Sequence, residues 1–375
     1  MKIISLFNNK GGVGKSTLGF HLGYALSELG HKTLFVDLDP QCNLTINGLK
    51  EETLHKIWED EDSFIDDYGE ASRDAVNFKK LTNSSRSIHF LLKPAEDGLN
   101  ELDTYPDPIQ LADKLDLIPG RLSIHKYENK IAERWSGAYQ GDNLALRTIT
   151  NIRSICERYA GLHNYEFVLI DTSPSLGILN KTIISTVDGF FVPAQPDMFS
   201  LYGIRNIGNS LEMWQREFET IYSLISAEKR KKFPRKFVQF MGYTLYNAKK
   251  YQKVPQSNKY DLANAHYYYA EKIPQVIKQY IKPINRDNFE DSIIESPIGG
   301  NSVIHTHNTF PAVAQALKCP MWKVPDVYAE LQKTDPQFLK EKGLEVNQGS
   351  FGKYRDTKKQ YTDFATDLLR RVEML

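Results

Sequence analysis

The chain has few cysteines, and they lie far apart. Its 375 residues include three, Cys42, Cys156 and Cys319, and this spacing offers neither a disulfide framework nor a Cys-x-x-Cys metal site. The chain also lacks any apolar run near the roughly 18 residues that a membrane-spanning helix needs, and it begins with a predicted strand rather than a signal peptide. We therefore expect a soluble protein that works in a reducing cytoplasm.

An excess of charge of one sign is also absent. Lysine plus arginine and aspartate plus glutamate number 47 each, so the molecule as a whole is not a general binder of polyanions. Any contact with nucleic acid must therefore come from a local basic surface. The length exceeds that of most single domains but suits one large α/β domain with insertions.

A glycine-rich loop at residues 8–17 follows the first predicted strand, at residues 3–7. The ordinary phosphate-binding pattern requires glycine at position 9, where this chain has Asn9, so the strict pattern fails by one residue. The groups that bind phosphate are nevertheless present. Glycines let backbone N–H groups face phosphate oxygens, Lys15 can reach the β- and γ-phosphates, and Ser16 can bind Mg²⁺. A glycine-rich turn with two solvated lysines is the alternative, but the order of strand, loop and helix favours nucleotide binding. The predicted nucleotide-contacting residues of this loop are Gly11, Gly12, Val13, Gly14, Lys15, Ser16 and Thr17.

Predicted strands and helices alternate along the first half of the chain. After the loop, Leu18, Leu22 and Leu29 recur at helical spacing and Gly30 ends the helix. This alternation predicts a doubly wound, mostly parallel α/β sheet flanked by helices, with ligands at the carboxyl ends of its strands. The further predicted strands are residues 33–36, 115–120, 167–170, 190–193 and 237–247.

Aspartates follow two of these predicted strands. Asp37 and Asp39 come directly after residues 33–36, and Asp171 follows the apolar residues 167–170. The second arrangement suits a Walker B element, whose carboxylate holds a Mg²⁺-bound water. An Asp-x-Asp pair alone is mostly structural, but its place one crossover after the loop favours a site. We expect the Mg²⁺ site to be formed by Ser16, Asp37, Asp39 and Asp171.

The loop carries a second lysine, Lys10, and the segment at residues 37–41 reads Asp-Leu-Asp-Pro-Gln. Together with residues 115–120 and 160–210, these features resemble the deviant Walker A ATPases, the family of ParA/Soj partition ATPases and MinD. The resemblance implies a P-loop ATPase that binds ATP and Mg²⁺ and forms a nucleotide-sandwich homodimer. It also implies that the catalytic residues are Lys10, which reaches across to the partner's ATP, Lys15, and Asp39, which organises the attacking water.

Two finer expectations come from the same resemblance. Asn247, at the end of the predicted strand 237–247, would hydrogen-bond the adenine, and a loop around Pro297 would cover it. An asparagine at a strand end is also a common turn former. The resemblance also implies that residues 37–42 form a switch segment. Cys42 stands where relatives usually have glycine, and it either stiffens this segment or is simply a small buried apolar residue.

The predicted organisation is one ATPase domain at residues 1–330, with insertions at about 50–113 and 226–290, and a helical extension at 331–375. The first insertion is acidic, which suits a solvated face or, alternatively, a docking surface for a basic partner. The second is rich in lysine and tyrosine, which suits either contact with the phosphate backbone of DNA or a solvated helical insertion. A final helix beginning near Lys358 has an apolar stripe that we expect to dock on the protein's own body or on a partner rather than on lipid.

Two classes of function compete. The first is a ParA-type, Mg-dependent ATPase whose ATP-bound dimer binds DNA non-specifically and whose hydrolysis is stimulated by a ParB-like or other partner protein. It would act in plasmid or chromosome partition or in cargo positioning, in the cytoplasm and on the nucleoid. The second is a MinD-like regulatory ATPase that docks on membrane or on a protein assembly. Iron–sulfur carriers of this superfamily are disfavoured because the paired cysteines are missing, and the Asp-Leu-Asp-Pro-Gln segment weakens the case for a ligase-like synthetase.

Overall fold

The computed structural model describes residues 1–66, 75–248, 258–300, 304–305 and 309–375. Within these residues, eight strands form one sheet. The strands are β1 (Lys2–Leu6), β2 (Thr33–Asp37), β3 (Ile109–Ala112), β4 (Leu115–Ile118), β5 (Phe167–Asp171), β6 (Gly189–Ala194), β7 (Gln239–Ala248) and β8 (Ile304–His305).

The sheet has the strand order β3-β4-β2-β5-β1-β6-β7-β8. All neighbouring strands are parallel except β3, which runs antiparallel to β4. Strands β1, β2 and β5 are mostly apolar and are buried along nearly their whole length, because helices cover both faces of a parallel sheet. The predicted doubly wound, mostly parallel fold is confirmed. The sequence did not indicate β3 or β8, which have only four and two residues.

The helices fill the connections between strands. They are α1 (Lys15–Glu28), α2 (Asn43–Gly48), α3 (Glu51–Asp66), α4 (Ala75–Thr82), α5 (Ile88–Glu96), α6 (Ile124–Tyr139), α7 (Asn143–His163), α8 (Ile178–Thr186), α9 (Met198–Leu224), α10 (Ala227–Arg230), α11 (Asn264–Ala270), α12 (Ile273–Tyr280), α13 (Asp291–Glu295), α14 (Phe310–Ala316), α15 (Val324–Thr334), α16 (Pro336–Glu341) and α17 (Phe351–Val372). Three short 3₁₀ turns, Pro283–Asn285, Met321–Lys323 and Gln348–Ser350, complete the described elements.

The direction of winding reverses at the centre of the sheet. From β1 the chain passes through α1 to β2, towards the β3 edge, whereas from β5 it passes through α8 to β6, towards the β8 edge. Right-handed crossovers then place α1 and α8 on opposite faces. The carboxyl ends of β1, β2 and β5 meet at this reversal, which is where open α/β sheets bind ligands.

The two ranges predicted as insertions differ in how they join the sheet. Residues 50–113 supply helices α3 to α5 and, at their end, the edge strand β3, which pairs with β4. Helices α3 and α5 pack together through Phe64 and Phe90, with ring centroids 4.0 Å apart. Residues 226–290 include β7, which pairs with β6, so only the parts flanking β7 lie outside the sheet. Tyrosines 267–269 lie in α11 as predicted, and the basic residues 249–253 fall outside the described residues. The division into domains stays a prediction.

The last helix packs on the first one. It begins at Phe351 rather than near Lys358, because a 3₁₀ turn leads directly into it. Its apolar stripe is buried, and the ring of Tyr361 stacks on that of His21 in α1, with centroids 4.8 Å apart. The stripe therefore docks on the protein's own body. Among the described residues, none forms a helix that is both long and apolar enough to cross a membrane.

Candidate functional site

The glycine-rich loop joins β1 to α1 and turns tightly around its own backbone. Gly12 and Gly14 have φ angles of 71° and 79°, a left-handed conformation that glycine adopts without strain. Gly14 also caps the N-terminus of α1. The Tyr246 ring, from β7, lies so close to Gly14 that a Cβ atom there would collide with it. The N-terminal end of α1 is thus open to an anion, as in other phosphate-binding helices.

Lys15 lies inside the loop. Its side chain is nearly buried, at 6% exposure, and Nζ donates a hydrogen bond to the Asn8 carbonyl oxygen at 3.2 Å. Burial lowers the pKa of Lys15, while the charges of Asp171 and Asp39 act in the opposite direction. A phosphate group bound in the loop would add further negative charge next to Lys15 and so favour its protonated form.

Lys10 occupies a different setting on the outer side of the loop. Its Nζ pairs with the Asp197 carboxylate, lies 3.4 Å from the Gln195 side-chain oxygen and sits 5.8 Å from the centre of the Phe199 ring. The side chain is 22% exposed. Asp197 also caps α9 by accepting a hydrogen bond from the Ser200 N–H at 2.9 Å. Lys10 is therefore held at a face that a second molecule can reach.

Asp37 is fully engaged by the loop that follows it. One carboxylate oxygen accepts the N–H and the hydroxyl of Thr45, at 2.8 and 2.6 Å, and the other accepts the Asp39 N–H at 3.1 Å. Burial raises the pKa of Asp37 to about 6. These bonds show Asp37 organising the backbone around Asp39. Its predicted contribution to the Mg²⁺ site stays a prediction.

Asp171 has a buried carboxylate at the carboxyl end of β5. Both carboxylate oxygens are buried, and within the described part of the chain neither has a hydrogen-bond partner. Burial, followed by the charge of Asp37, raises the pKa of Asp171 to about 8. Buried acceptors without donors are costly. The Ser16 hydroxyl and the Asp39 carboxylate are close to Asp171, and oxygen atoms of this kind suit Mg²⁺. The Mg²⁺ site itself stays a prediction.

A cavity of about 440 Å³ brings the loop and Asp39 together. The sequence missed its opposite wall, which comes from α2 and α14. Asn43 and Asn47 are four residues apart in α2, a spacing that puts both amides on one face and could have been noticed. Nothing in the sequence connects α14 to the loop, because the contact depends on the fold. The lining residues are Gly12, Val13, Gly14, Lys15, Ser16, Thr17, Asp39, Gln41, Asn43, Asn47, Pro174, Pro311, Ala312 and Gln315.

The predicted adenine contacts are not part of this lining. The backbone of Asn247 belongs to β7, but its side chain is outside the described residues. Pro297 is buried, and the N–H of the next residue, Ile298, donates to the Tyr243 carbonyl at 2.7 Å. Both adenine assignments stay predictions.

Cys42 is the small buried residue that was one of the two interpretations, and the stiffening of the segment stays a prediction. It is fully buried against Gly120, as a small apolar side chain would be. Its φ of 53° also lies in the left-handed region, which favours glycine and costs a residue with a Cβ about 1–2 kcal/mol. The switch segment therefore holds a strained residue three positions after Asp39.

Comparison with known proteins places this geometry in a family. A family model described as an AAA domain matches residues 1–223. Over 220 residues the chain is 27% identical to the sporulation initiation inhibitor protein Soj of Bacillus subtilis, covering 58% of this chain and 68% of Soj. It is 24% identical over 212 residues to the chromosome partitioning protein ParA of Caulobacter vibrioides, covering 56% and 62%. The curated relatives are matched over only 50 to 68% of their own length.

Solved structures agree on the fold across the whole chain. The structure of pNOB8 ParA has a TM-score of 0.55 at 19% identity and covers 99% of this chain and 98% of that one. The same protein bound to nonspecific DNA gives a TM-score of 0.52 at 18% identity, with the same coverage. Because the family model covers more than half of the chain and includes the entire phosphate loop, the chain belongs to this AAA domain family, as a ParA/MinD-type P-loop partition ATPase.

Proposed function

We propose that this protein binds Mg²⁺-ATP in the cavity at the phosphate loop and hydrolyses it to ADP and phosphate. The observation that carries the proposal is the convergence of Lys15, Asp39 and the loop glycines on one cavity, with the unpartnered oxygens of Asp171 beside Lys15. The likeness to Soj and ParA supports the same chemistry.

The chain's own groups divide the work of phosphoryl transfer. Backbone N–H groups of the loop and the Lys15 ammonium hold the phosphates and offset their charge, which is most of what such a reaction requires. When bound, Mg²⁺ would be held through Ser16 and Asp171, and it supplies further neutralisation of the phosphate oxygens. Asp39, whose position is fixed by hydrogen bonds around Asp37, would orient the attacking water.

We infer further that ATP closes a homodimer through the face that carries Lys10. Large apolar side chains are exposed on α9 beside Lys10, where Phe199 is 64% exposed and Met198 and Tyr202 are exposed by about half. Exposed apolar groups next to a functional lysine suit a face that a second copy covers. In the closed dimer, Lys10 would leave Asp197 and contact the partner's ATP.

The partner of the closed dimer is inferred to be DNA, and the outcome to be DNA partition or positioning of a cargo. Four exposed basic residues lie between α10 and β7, namely Lys231, Lys232, Arg235 and Lys236, and such a cluster suits contact with phosphates without reading sequence. The DNA complex of the similar pNOB8 ParA supports this choice. The MinD-like alternative, docking on membrane, has less support because the apolar stripe of α17 packs on α1.

The test combines hydrolysis and DNA binding in one preparation. Phosphate release should require both ATP and Mg²⁺ and should disappear with EDTA. A gel shift with random duplex DNA should show salt-sensitive binding with ATP and none with ADP. Absence of ATP binding at millimolar nucleotide would refute the enzymatic proposal, and absence of DNA binding at low salt would refute the DNA partner alone.

A further inference from the structure

The segment just after β4 lies between α3 and the loop that carries Asp37 and Asp39. At its centre, Gly120 packs so closely that an added Cβ would lie 3.0 Å from the Cys42 sulfur and 3.1 Å from Cγ of Asp37. This contact is therefore closely packed, with no space for a side chain at position 120. Any displacement of Gly120 must therefore move the residues that surround Asp39.

A continuous series of hydrogen bonds links α3 to Asp39 through Gly120. The indole N–H of Trp58 donates to the Gly120 carbonyl oxygen at 3.1 Å. The Gly120 N–H donates to the Thr45 hydroxyl oxygen at 2.8 Å, and that hydroxyl donates to the Asp37 carboxylate at 2.6 Å. The other oxygen of Asp37 accepts the Asp39 N–H at 3.1 Å.

The region at residues 50–113 fixes the neighbours of Gly120 as well. Before it, the Pro119 carbonyl oxygen accepts the Ile88 N–H at 2.8 Å, from the start of α5. After it, the Arg121 guanidinium donates to the Trp58 carbonyl oxygen at 2.9 Å and to Glu61 at 3.2 Å. Helices α3 and α5 thus hold three consecutive residues behind the switch segment. None of these bonds involves the phosphate loop.

We propose that Trp58 is a positioning residue for ATP hydrolysis, acting on Asp39 through Gly120, Thr45 and Asp37. The proposal rests on the ATPase activity proposed above. It gives the region at residues 50–113 a function, which is to set the rate of hydrolysis while leaving nucleotide affinity to the phosphate loop. Trp58 lines a surface cleft of about 490 Å³, so the series of bonds begins at a side chain that solvent can reach.

The experiment compares two substitutions that make the same chemical change. Trp58→Phe removes the indole N–H and keeps an aromatic ring. Trp135→Phe is the matched control, because its indole N–H donates at 2.9 Å to Glu217, which also accepts Lys181 at 2.5 Å and Tyr139 at 3.1 Å. Loss of one hydrogen bond should lower kcat of the Trp58 variant about three- to ten-fold. The KM for ATP should stay unchanged, and the control should match the wild type in both constants.

A double variant separates the linked series from general damage. Thr45→Val keeps the side-chain shape and removes the hydroxyl that joins Gly120 to Asp37. If the series acts as one unit, Trp58→Phe combined with Thr45→Val should lose no more kcat than Thr45→Val alone. The proposal would be overturned if the kcat losses of the two single variants multiplied in the double variant. It would also be overturned if Trp58→Phe had an increased KM or a kcat equal to that of the wild type. A wild type without ATPase activity would instead refute the proposed function itself.

Discussion

The two lysines of the phosphate loop, five residues apart, lie in opposite environments. Lys15 is buried, bonds its own loop and lies near Asp171, at the end of β5, and Asp39, two residues beyond β2. Lys10 is partly exposed, bonds the cap of α9 and lies beside the exposed ring of Phe199. The side of the loop that carries Lys15, the buried side, lines a cavity formed within a single chain. The side that carries Lys10, the exposed side, is part of the protein surface.

This difference predicts that nucleotide binding and ATP hydrolysis depend on different sides of the loop. In the proposed mechanism, the groups that would hold phosphate and Mg²⁺ all come from one chain, so a single chain should bind nucleotide. Lys10, which pairs with Asp197 in this structure, is proposed to contact the partner's ATP, so the complete catalytic site should require the partner. Substitutions on the two sides of the loop should therefore change different measurements.

The largest effect should come from the buried side. Lys15→Ala removes the charge nearest the phosphates, and we expect ATP affinity to fall on the order of 100-fold and hydrolysis to become undetectable. Isothermal titration with ATP measures the first, and phosphate release the second. Lys114→Ala is the control, because this exposed side chain donates to the Gly30 carbonyl oxygen away from the phosphate loop, and it should leave both unchanged. Affinity within two-fold of wild type in Lys15→Ala would contradict the assignment of the phosphate site.

A smaller and more selective effect should follow from Asp39→Ala. In the proposed mechanism this carboxylate orients water rather than binding phosphate, so kcat should fall on the order of 100-fold while ATP affinity changes little. Single-turnover hydrolysis together with titration separates the two effects. If affinity and rate fell by the same factor, Asp39 would belong with the binding groups instead.

The buried side should also make stability depend on pH. The pKa of Asp171 is raised to about 8 in the folded protein, whereas it is about 4 in an unfolded chain. The folded state therefore holds this proton more tightly, and the stability it contributes below pH 4 is lost as pH rises towards 8. The Tm of the nucleotide-free protein should fall over this range, and the fall should be smaller in Asp171→Asn. With saturating Mg²⁺-ATP, the fall of Tm with pH should differ less between the wild type and Asp171→Asn.

The smallest effect should come from the exposed side. Asp197→Asn breaks the pair with Lys10, and because both side chains are partly exposed, the free energy of unfolding should change by less than about 1 kcal/mol. Asp188→Asn is the matched comparison, since Asp188 is similarly exposed but accepts hydrogen bonds from both the Ile3 N–H at 2.8 Å and Arg153 at 3.0 Å. Urea unfolding should therefore show the larger loss in Asp188→Asn. The reverse order would mean that the Lys10 face is built for stability.

The sequence predicted the parts of this molecule that depend on local patterns. Apolar runs ending in aspartate identified β2 and β5, and the loop glycines identified the start of α1. It could not predict that α14 lines the cavity, or that Trp58 bonds Gly120, because 62 residues separate that pair and only the fold joins them. The left-handed backbone at Cys42 was equally hidden, since cysteine gives no sign of a positive φ.

The most direct test of the central claim is the oligomeric state of a hydrolysis-deficient protein with ATP. Asp39→Ala should be a monomer with ADP and a dimer with Mg²⁺-ATP in sedimentation velocity. Adding Lys10→Ala to that variant should leave it monomeric with ATP while titration still shows ATP bound at similar affinity. A dimer that forms equally well without Lys10, or a protein that stays monomeric with bound Mg²⁺-ATP, would contradict the claim that a second copy completes the site.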